Sequence, residues 1–274
     1  MINLKKILEN RNIVREKSPL IHAITNPIAI NMVANSILFQ GAKAICAENP
    51  KEIEDIVKVS DSLSINLGNI TDTRIEAMDL AVRFANEKNI PVIIDLVGIG
   101  ASKLRLDFAK DLLKKYKFSV IKGNSSEILA LSGEKTHAKG IDAGRKDIVE
   151  GKNIEKFIKV SKNLSKDYQT TVLISGKTDI LVKDNRYFLI ENGCSNLSKI
   201  TATGCMLTSL ISTFLAVTDP IEASVLGLLI LEISAEISDR NKPYSFFVNL
   251  MDNISEIEND EIMTKAKIRE GNCE

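Results

Sequence analysis

Residues 91–100 read PVIIDLVGIG: a proline, three consecutive β-branched apolar residues, an aspartate, and two glycines close behind it. A short apolar run without alternation, bounded by Pro and Gly, fits a strand buried on both faces. A half-exposed strand would alternate instead. The same pattern recurs at 41–48 (GAKAICAE), 62–69 (SLSINLGN), 118–127 (FSVIKGNSSE) and 170–177 (TTVLISGK). Helical patterns lie between most of these runs. In 71–89 (TDTRIEAMDLAVRFANEKN) the residues Ile75, Met78, Val82 and Ala85 recur at helical intervals and predict an amphipathic helix. Apolar strands separated by helices predict an α/β domain with a mostly parallel sheet covered on both faces.

Outward from that core the pattern changes. Residues 178–192 (TDILVKDNRYFLIEN) predict a β-hairpin turning at Asp184-Asn185, and therefore an antiparallel addition. Residues 205–217 (CMLTSLISTFLAV) and 221–240 (IEASVLGLLILEISAEISDR) are apolar nearly all round, as buried helices are. The polar stretch 132–153 is the best loop candidate. With no Gly/Ser/Pro linker and no internal repeat, residues 1–274 are expected to form one domain.

Composition narrows the function classes. The 36 basic and 36 acidic residues cancel, which gives no electrostatic reason to expect nucleic acid or an anionic membrane surface. Tryptophan is absent and aromatics are few, so stacking platforms for bases are not expected. The longest apolar run, VLGLLILEI, is too short to span a bilayer, and the charged opening MINLKKILENRNIVREK has no apolar signal core. A cytoplasmic protein acting on small molecules is the expectation. Cys46, Cys194, Cys205 and Cys273 form no C-x-x-C pair and read as free thiols.

In an open parallel sheet, ligands gather beyond the carboxyl ends of the strands. Those ends carry Asn66 and Gly68, then Asp95, Gly98 and Gly100, then Lys122, Asn124 and Glu127, then Ser175 and Gly176. The turn 201–205 (TATGC) would add a helix N-terminus. Acids, a lysine and free backbone N–H groups suit a magnesium–nucleotide site: carboxylates and water for the metal, cations and N–H groups for phosphate. Each element also has a plainer explanation. Asn124 and Glu127 fit a capping box, Asp95 a turn, the glycines local geometry, and His22 a structural role. Asn26 and Asn31 fit caps around Pro27, which is placed to begin a helix. As a dinucleotide fingerprint, VGIGA lacks the third glycine.

These residues also carry a family resemblance. The segments PLIHAITNPIAINMVANSILFQGAKAICAENPKE, VIIDLVGIGASKLR, VIKGNSSEILAL, LISGKTDILV and TATGCMLTS resemble, in order, those of hydroxyethylthiazole kinases. The likeness runs from about residue 18 to 240. It implies a three-layer α/β/α ribokinase-like fold and phosphorylation by ATP of the hydroxyl of 4-methyl-5-(2-hydroxyethyl)thiazole. It further implies a Mg2+-requiring homotrimer with active sites between subunits. By the same resemblance Cys205 and Gly204 are the catalytic turn, and Lys122, Ser175 and Asn124 serve ATP. Asp95 and Glu127 serve the metal, and Cys46, Ala202 and Asn26 serve the thiazole. Lys122 stands where arginine is usual, Ser175 for threonine, Ala202 for glycine, Cys46 for methionine, and DLVG for DPVG. A thiol at a helix start has its pKa lowered from ~8.5 toward neutrality, so Cys205 is expected to accept the alcohol's proton. A related pyrimidine or pyridoxal kinase, an ATP-dependent hydrate dehydratase and a non-catalytic nucleotide binder are the alternatives.

Overall fold

The computed structural model describes residues 2–136, 149, 151–238 and 242–273. The run at 91–100 supplies β4 (Val92–Asp95), the fourth strand across a nine-stranded sheet. Strands β2 (Lys43–Ile45), β1 (Leu20–Ile24), β3 (Ser62–Asn66), β4, β5 (Val120–Asn124) and β6 (Thr171–Ser175) lie side by side and parallel. β7 (Asp179–Lys183), β8 (Arg186–Ile190) and β9 (Ile268–Asn272) continue the sheet antiparallel. Register does the positioning. Asp95 stands beside Asn66 on one neighbour and Lys122 on the other, while Asn124 stands beside Ser175.

Both faces are covered, which is why the strands do not alternate. Ile93 and Leu173 face a core formed with α1 (Leu4–Lys17), α2 (Ile30–Phe39), α8 (Thr203–Leu215), α9 (Pro220–Ser238) and α10 (Pro243–Glu256). Val92, Ile94, Val172 and Ile174 face a second core with α3 (Ile53–Lys58), α4 (Asp72–Glu87), α5 (Lys103–Lys115), α6 (Ser125–Ser132) and α7 (Ile154–Tyr168). Each such aliphatic side chain contributes about 1.5–3 kcal/mol on full burial, so neither face tolerates a polar alternation. α8 and α9 cross closely at Gly227, where an added Cβ would sit 2.6 Å from Ile211 Cγ1. The helix at 71–89 is α4, capped by Thr71 Oγ1 accepting from Arg74 N; Met78, Val82 and Ala85 are buried and Ile75 partly so. The hairpin turns at Asp184 in the left-handed region (φ 53°).

Three features differ from expectation. Helix α2 begins at Ile30, not at Pro27; residues 27–29 form a turn, closed by Asn26 Oδ1 accepting from Ala29 N at 3.1 Å. β1 escapes a periodicity search because His22 interrupts its apolar run. β9 (IREGN) escapes because it is an edge strand, held by its ladder with β8 rather than by apolar burial. The loop expected at 132–153 lies largely outside the described residues; α6 ends at Ser132 with Gly133 left-handed (φ 82°). Among the described residues no helix is long and apolar enough to cross a membrane.

Candidate active site

At the carboxyl end of β4, one oxygen of Asp95 collects three donors. Oδ2 accepts from Thr208 Oγ1 at 2.8 Å, Asn66 Nδ2 at 2.9 Å and Lys122 Nζ at 3.1 Å. Lys122 Nζ also donates to the Gly204 carbonyl at 3.0 Å, and Thr208 Oγ1 shares its one hydrogen between Asp95 and that carbonyl, which lies 3.1 Å away. The start of α8 is therefore bolted to the sheet. A Cβ on residue 204 would meet Lys122 Nζ at 3.0 Å, so glycine permits this approach. Burial opposes the charge on Lys122, but Asp95, Cys205 and Glu127 outweigh it and its pKa is raised. The residue expected at ATP is thus an ammonium held beneath the turn.

The turn itself is set for anions. The first intrahelical bond of α8 runs from Met206 N to Ala202 O at 2.9 Å, so the N–H groups of Thr203, Gly204 and Cys205 precede the helical ladder. Ala202 holds φ 67°, a left-handed conformation that a Cβ makes costly by roughly 1–2 kcal/mol. Cys205 Sγ accepts from the side-chain amides of Asn26 and Asn66, both at 3.4 Å. The expectation of a lowered thiol pKa fails. Burial, and then the charge of Asp95, push Cys205 up to about 11, against the weaker pull of Lys122 and the two asparagines. Desolvation outweighs these pulls, and at neutral pH the group is a thiol.

Glu127 and Asn124 form the capping box that the sequence also allowed. Asn124 Oδ1 accepts from Glu127 N at 2.9 Å, while Glu127 Oε2 accepts from Asn124 N at 2.7 Å. Its Oε1 accepts from Gly98 N at 2.8 Å, so both carboxyl oxygens already hold backbone amides. Burial and Asp95 raise the Glu127 pKa to about 7 despite those bonds and Lys122. Among the described residues no group of three or more His, Cys, Asp or Glu side chains is arranged to hold a metal. Asp95 Oδ1, however, is buried without a donor among the described residues, an acceptor left for the water of a hydrated cation. The residues fit a water-held Mg2+ and not a protein cage.

These groups line one cavity of about 1040 Å³, which gathers Asp95, Lys122, Asn124, Glu127, Ser175, Ala202, Gly204 and Cys205. Asn26 does not line it but lies buried behind it, bonded to Cys205. Cys46 is not brought there; it sits half-buried after β2, packed on the α2–α8 core. His22 is structural: its Nε2 lies 2.9 Å from Ala47 O, and burial pushes its pKa down to about 4. Sequence reasoning missed Thr208 and, as a working residue, Asn66. Thr208 follows Gly204 by one helical turn, a spacing that places its hydroxyl against that carbonyl.

The chain matches the hydroxyethylthiazole kinase family over residues 12–260. It is 45% identical over 262 residues to hydroxyethylthiazole kinase 2 of Clostridium botulinum, covering 95% of this chain and 99% of that one. Among solved structures, a hydroxyethylthiazole kinase protein from Pyrococcus horikoshii superposes with a TM-score of 0.87 at 34% identity, covering 97% and 99% of the two chains. A ribokinase-like superfamily protein from Enterococcus faecalis shares the fold alone, with a TM-score of 0.59 at 13% identity over 86% of each chain.

Proposed function

The chain belongs to the hydroxyethylthiazole kinase family, and on that premise we propose how its residues phosphorylate the hydroxyl of 4-methyl-5-(2-hydroxyethyl)thiazole with ATP, a step of thiamine salvage. The observation that carries the reading is the bolted start of α8, whose N–H groups face the same cavity as Asp95, Lys122 and Cys205. Phosphoryl transfer depends on in-line placement and on neutralising charge more than on covalent chemistry. Backbone N–H groups of residues 203–205 receive the phosphoryl oxygens, their positions fixed by the Gly204 carbonyl bonds. Lys122 supplies positive charge from below, and Ser175 and Asn124 flank the nucleotide from the ends of β6 and β5. Asp95 and Glu127 would hold Mg2+ through water, and the ion would supply charge neutralisation at the phosphates.

The substrate hydroxyl faces Cys205, whose sulfur Asn26 and Asn66 orient. Ala202 borders the thiazole, with Cys46 reaching it from a neighbouring subunit of a homotrimer. That assembly is supported by Cys46 lying off the cavity of its own chain, and by exposed apolar residues on α2 and α10, which pack on each other: Leu38 is 52% exposed and Tyr244 82%. The chemistry itself, which draws on ATP and a small free alcohol, supports a cytoplasmic location. An assay of ADP release with Mg-ATP and a panel of alcohols tests the reading. Turnover with the thiazole alcohol is expected; turnover only with a pyridoxal or pyrimidine alcohol would reassign the substrate. Light scattering tests the trimer.

A further inference from the structure

Two more acids line the same cavity and lie against each other. Asp179 opens β7 and is 1% exposed, and Glu232 lies midway along α9 and is 5% exposed. Asp179 Oδ1 accepts from Gly176 N at 3.0 Å, which fixes the β6–β7 turn just after Ser175. Asp179 Oδ2 and Glu232 Oε2 are both buried, and neither has a donor among the described residues. Two side chains in hydrogen-bonding contact, each with an acceptor and neither with a donor, are satisfied only by a proton between them.

We propose that Asp179 and Glu232 share one proton, carried by Glu232 and donated to Asp179, and that this bridge positions the β6–β7 turn against the nucleotide. It rests on the nucleotide reading of the cavity given above. Neither residue is asked to touch the reacting atoms; both act through Gly176 and Ser175. Burial, and then the neighbouring Asp179, raise Glu232 well above the ordinary carboxyl range, while Asp179 goes only to about 6, in keeping with a proton that resides on Glu232. The charges that reach the pair are Lys122, which favours ionised Asp179, and Glu236, which disfavours ionised Glu232. Glu236 is itself held by Lys267 Nζ at 2.9 Å and Gly193 N at 3.0 Å. Lys177 and Lys199 line the same cavity.

The pair is tested with E232Q, D179N and E232L, reading both the thermal midpoint of the free protein and the KM for ATP from pH 6 to 10. In E232Q the new side-chain amide donates a hydrogen to Asp179. In D179N the new amide donates one to Glu232, while its oxygen still accepts from Gly176. Both variants keep between the two groups an amide hydrogen that pH does not remove, so that only the one remaining carboxyl titrates. The parent's midpoint should fall and its KM rise toward alkaline pH, as the shared proton is lost, while both quantities stay flatter in E232Q and D179N. E232L leaves Asp179 unpaired and should raise KM about tenfold or more with a smaller change in kcat. Superimposable pH profiles for parent, E232Q and D179N overturn the shared proton. E232Q as impaired as E232L overturns the donor role. If no variant nor the parent consumes ATP, the nucleotide reading fails, and the midpoint profiles still decide the pair.

Discussion

Lys122 and Asp95 form an ion pair of 3.1 Å in which the two side chains are only 4% and 0% exposed. The pair joins adjacent strands and also reaches the Gly204 carbonyl, so it connects the sheet to the phosphate-receiving turn. Removing one partner of such a pair leaves a buried, uncompensated charge, at a cost of ~3–5 kcal/mol. Lys122→Met should therefore lower the thermal midpoint and abolish most turnover. Lys122→Arg keeps the charge and should retain both within about tenfold in kcat/KM, because guanidinium also donates to carboxylate. A fully active, equally stable Met variant would contradict the role given to the pair.

With a pKa of about 11, roughly one Cys205 in ten thousand is a thiolate at pH 7. A general base contributes about 10²–10⁴ in rate only when it is in the right protonation state. Cys205→Ala should thus lower kcat by less than about tenfold at neutral pH. The parent's advantage over the Ala variant should widen as pH rises, since the required form is the deprotonated one. Cys205→Asp presents an acceptor without that penalty and should turn over with a flatter profile. Measuring kcat of the three proteins from pH 6.5 to 10 checks this; a constant parent-to-Ala ratio would exclude the thiolate route.

Ala202 sits at φ 67°, where glycine carries no Cβ penalty. Ala202→Gly should relieve roughly 1 kcal/mol of local strain, less a few tenths for the added freedom of the unfolded chain. A small rise in midpoint is expected, together with a changed KM for the thiazole alcohol as the pocket gains a methyl's volume. A lower midpoint would mean that the methyl's packing outweighs the backbone strain.

Glu127 is raised to about 7 in the fold from an ordinary value near 4.5. Between those values the folded protein binds more protons than the unfolded chain, so stability from this group increases as pH falls through 7 and levels off below about 4.5. Above pH 7 its ionised form is a net cost. Glu127→Gln cannot titrate, and denaturant midpoints from pH 5 to 8 should show a shallower slope. Gln supports the capping box but has one acceptor oxygen for two amides, those of Gly98 and Asn124, so a loss of ~1–3 kcal/mol accompanies the flattening.

Much of the fold was legible because a sheet covered on both faces leaves a strong trace: apolar runs such as VIID and TVLIS that end in polar or glycine residues. Strand-end position then gathered Asp95, Lys122, Glu127, Ser175 and Gly204 at one cavity. What escaped depended on pairing rather than pattern. β9 is ordered by its ladder with β8, and β1 carries a buried histidine within its run. Asn66 was placed at a strand end without a role, and Thr208 escaped, because both roles arise from where α8 lands on the sheet, which no local spacing encodes. The ionisation of Cys205 was misjudged because the helix start is visible in sequence and the depth of burial is not. Asp179 and Glu232, 53 positions apart, read separately as a strand opening and a helix residue.

The protonated sulfur of Cys205 also bears on the protein's chemical durability. Peroxide and alkylating reagents attack thiolate, and attack depends on access as well. Cys205 is 8% exposed and almost wholly un-ionised, whereas Cys46, Cys194 and Cys273 are partly accessible. Sulfenic acid and mixed disulfides should therefore accumulate at Cys273, which lies off the cavity, before they reach the cysteine that faces the substrate. An enzyme built this way tolerates mild oxidant as a catalyst while the Cys273 thiol is modified.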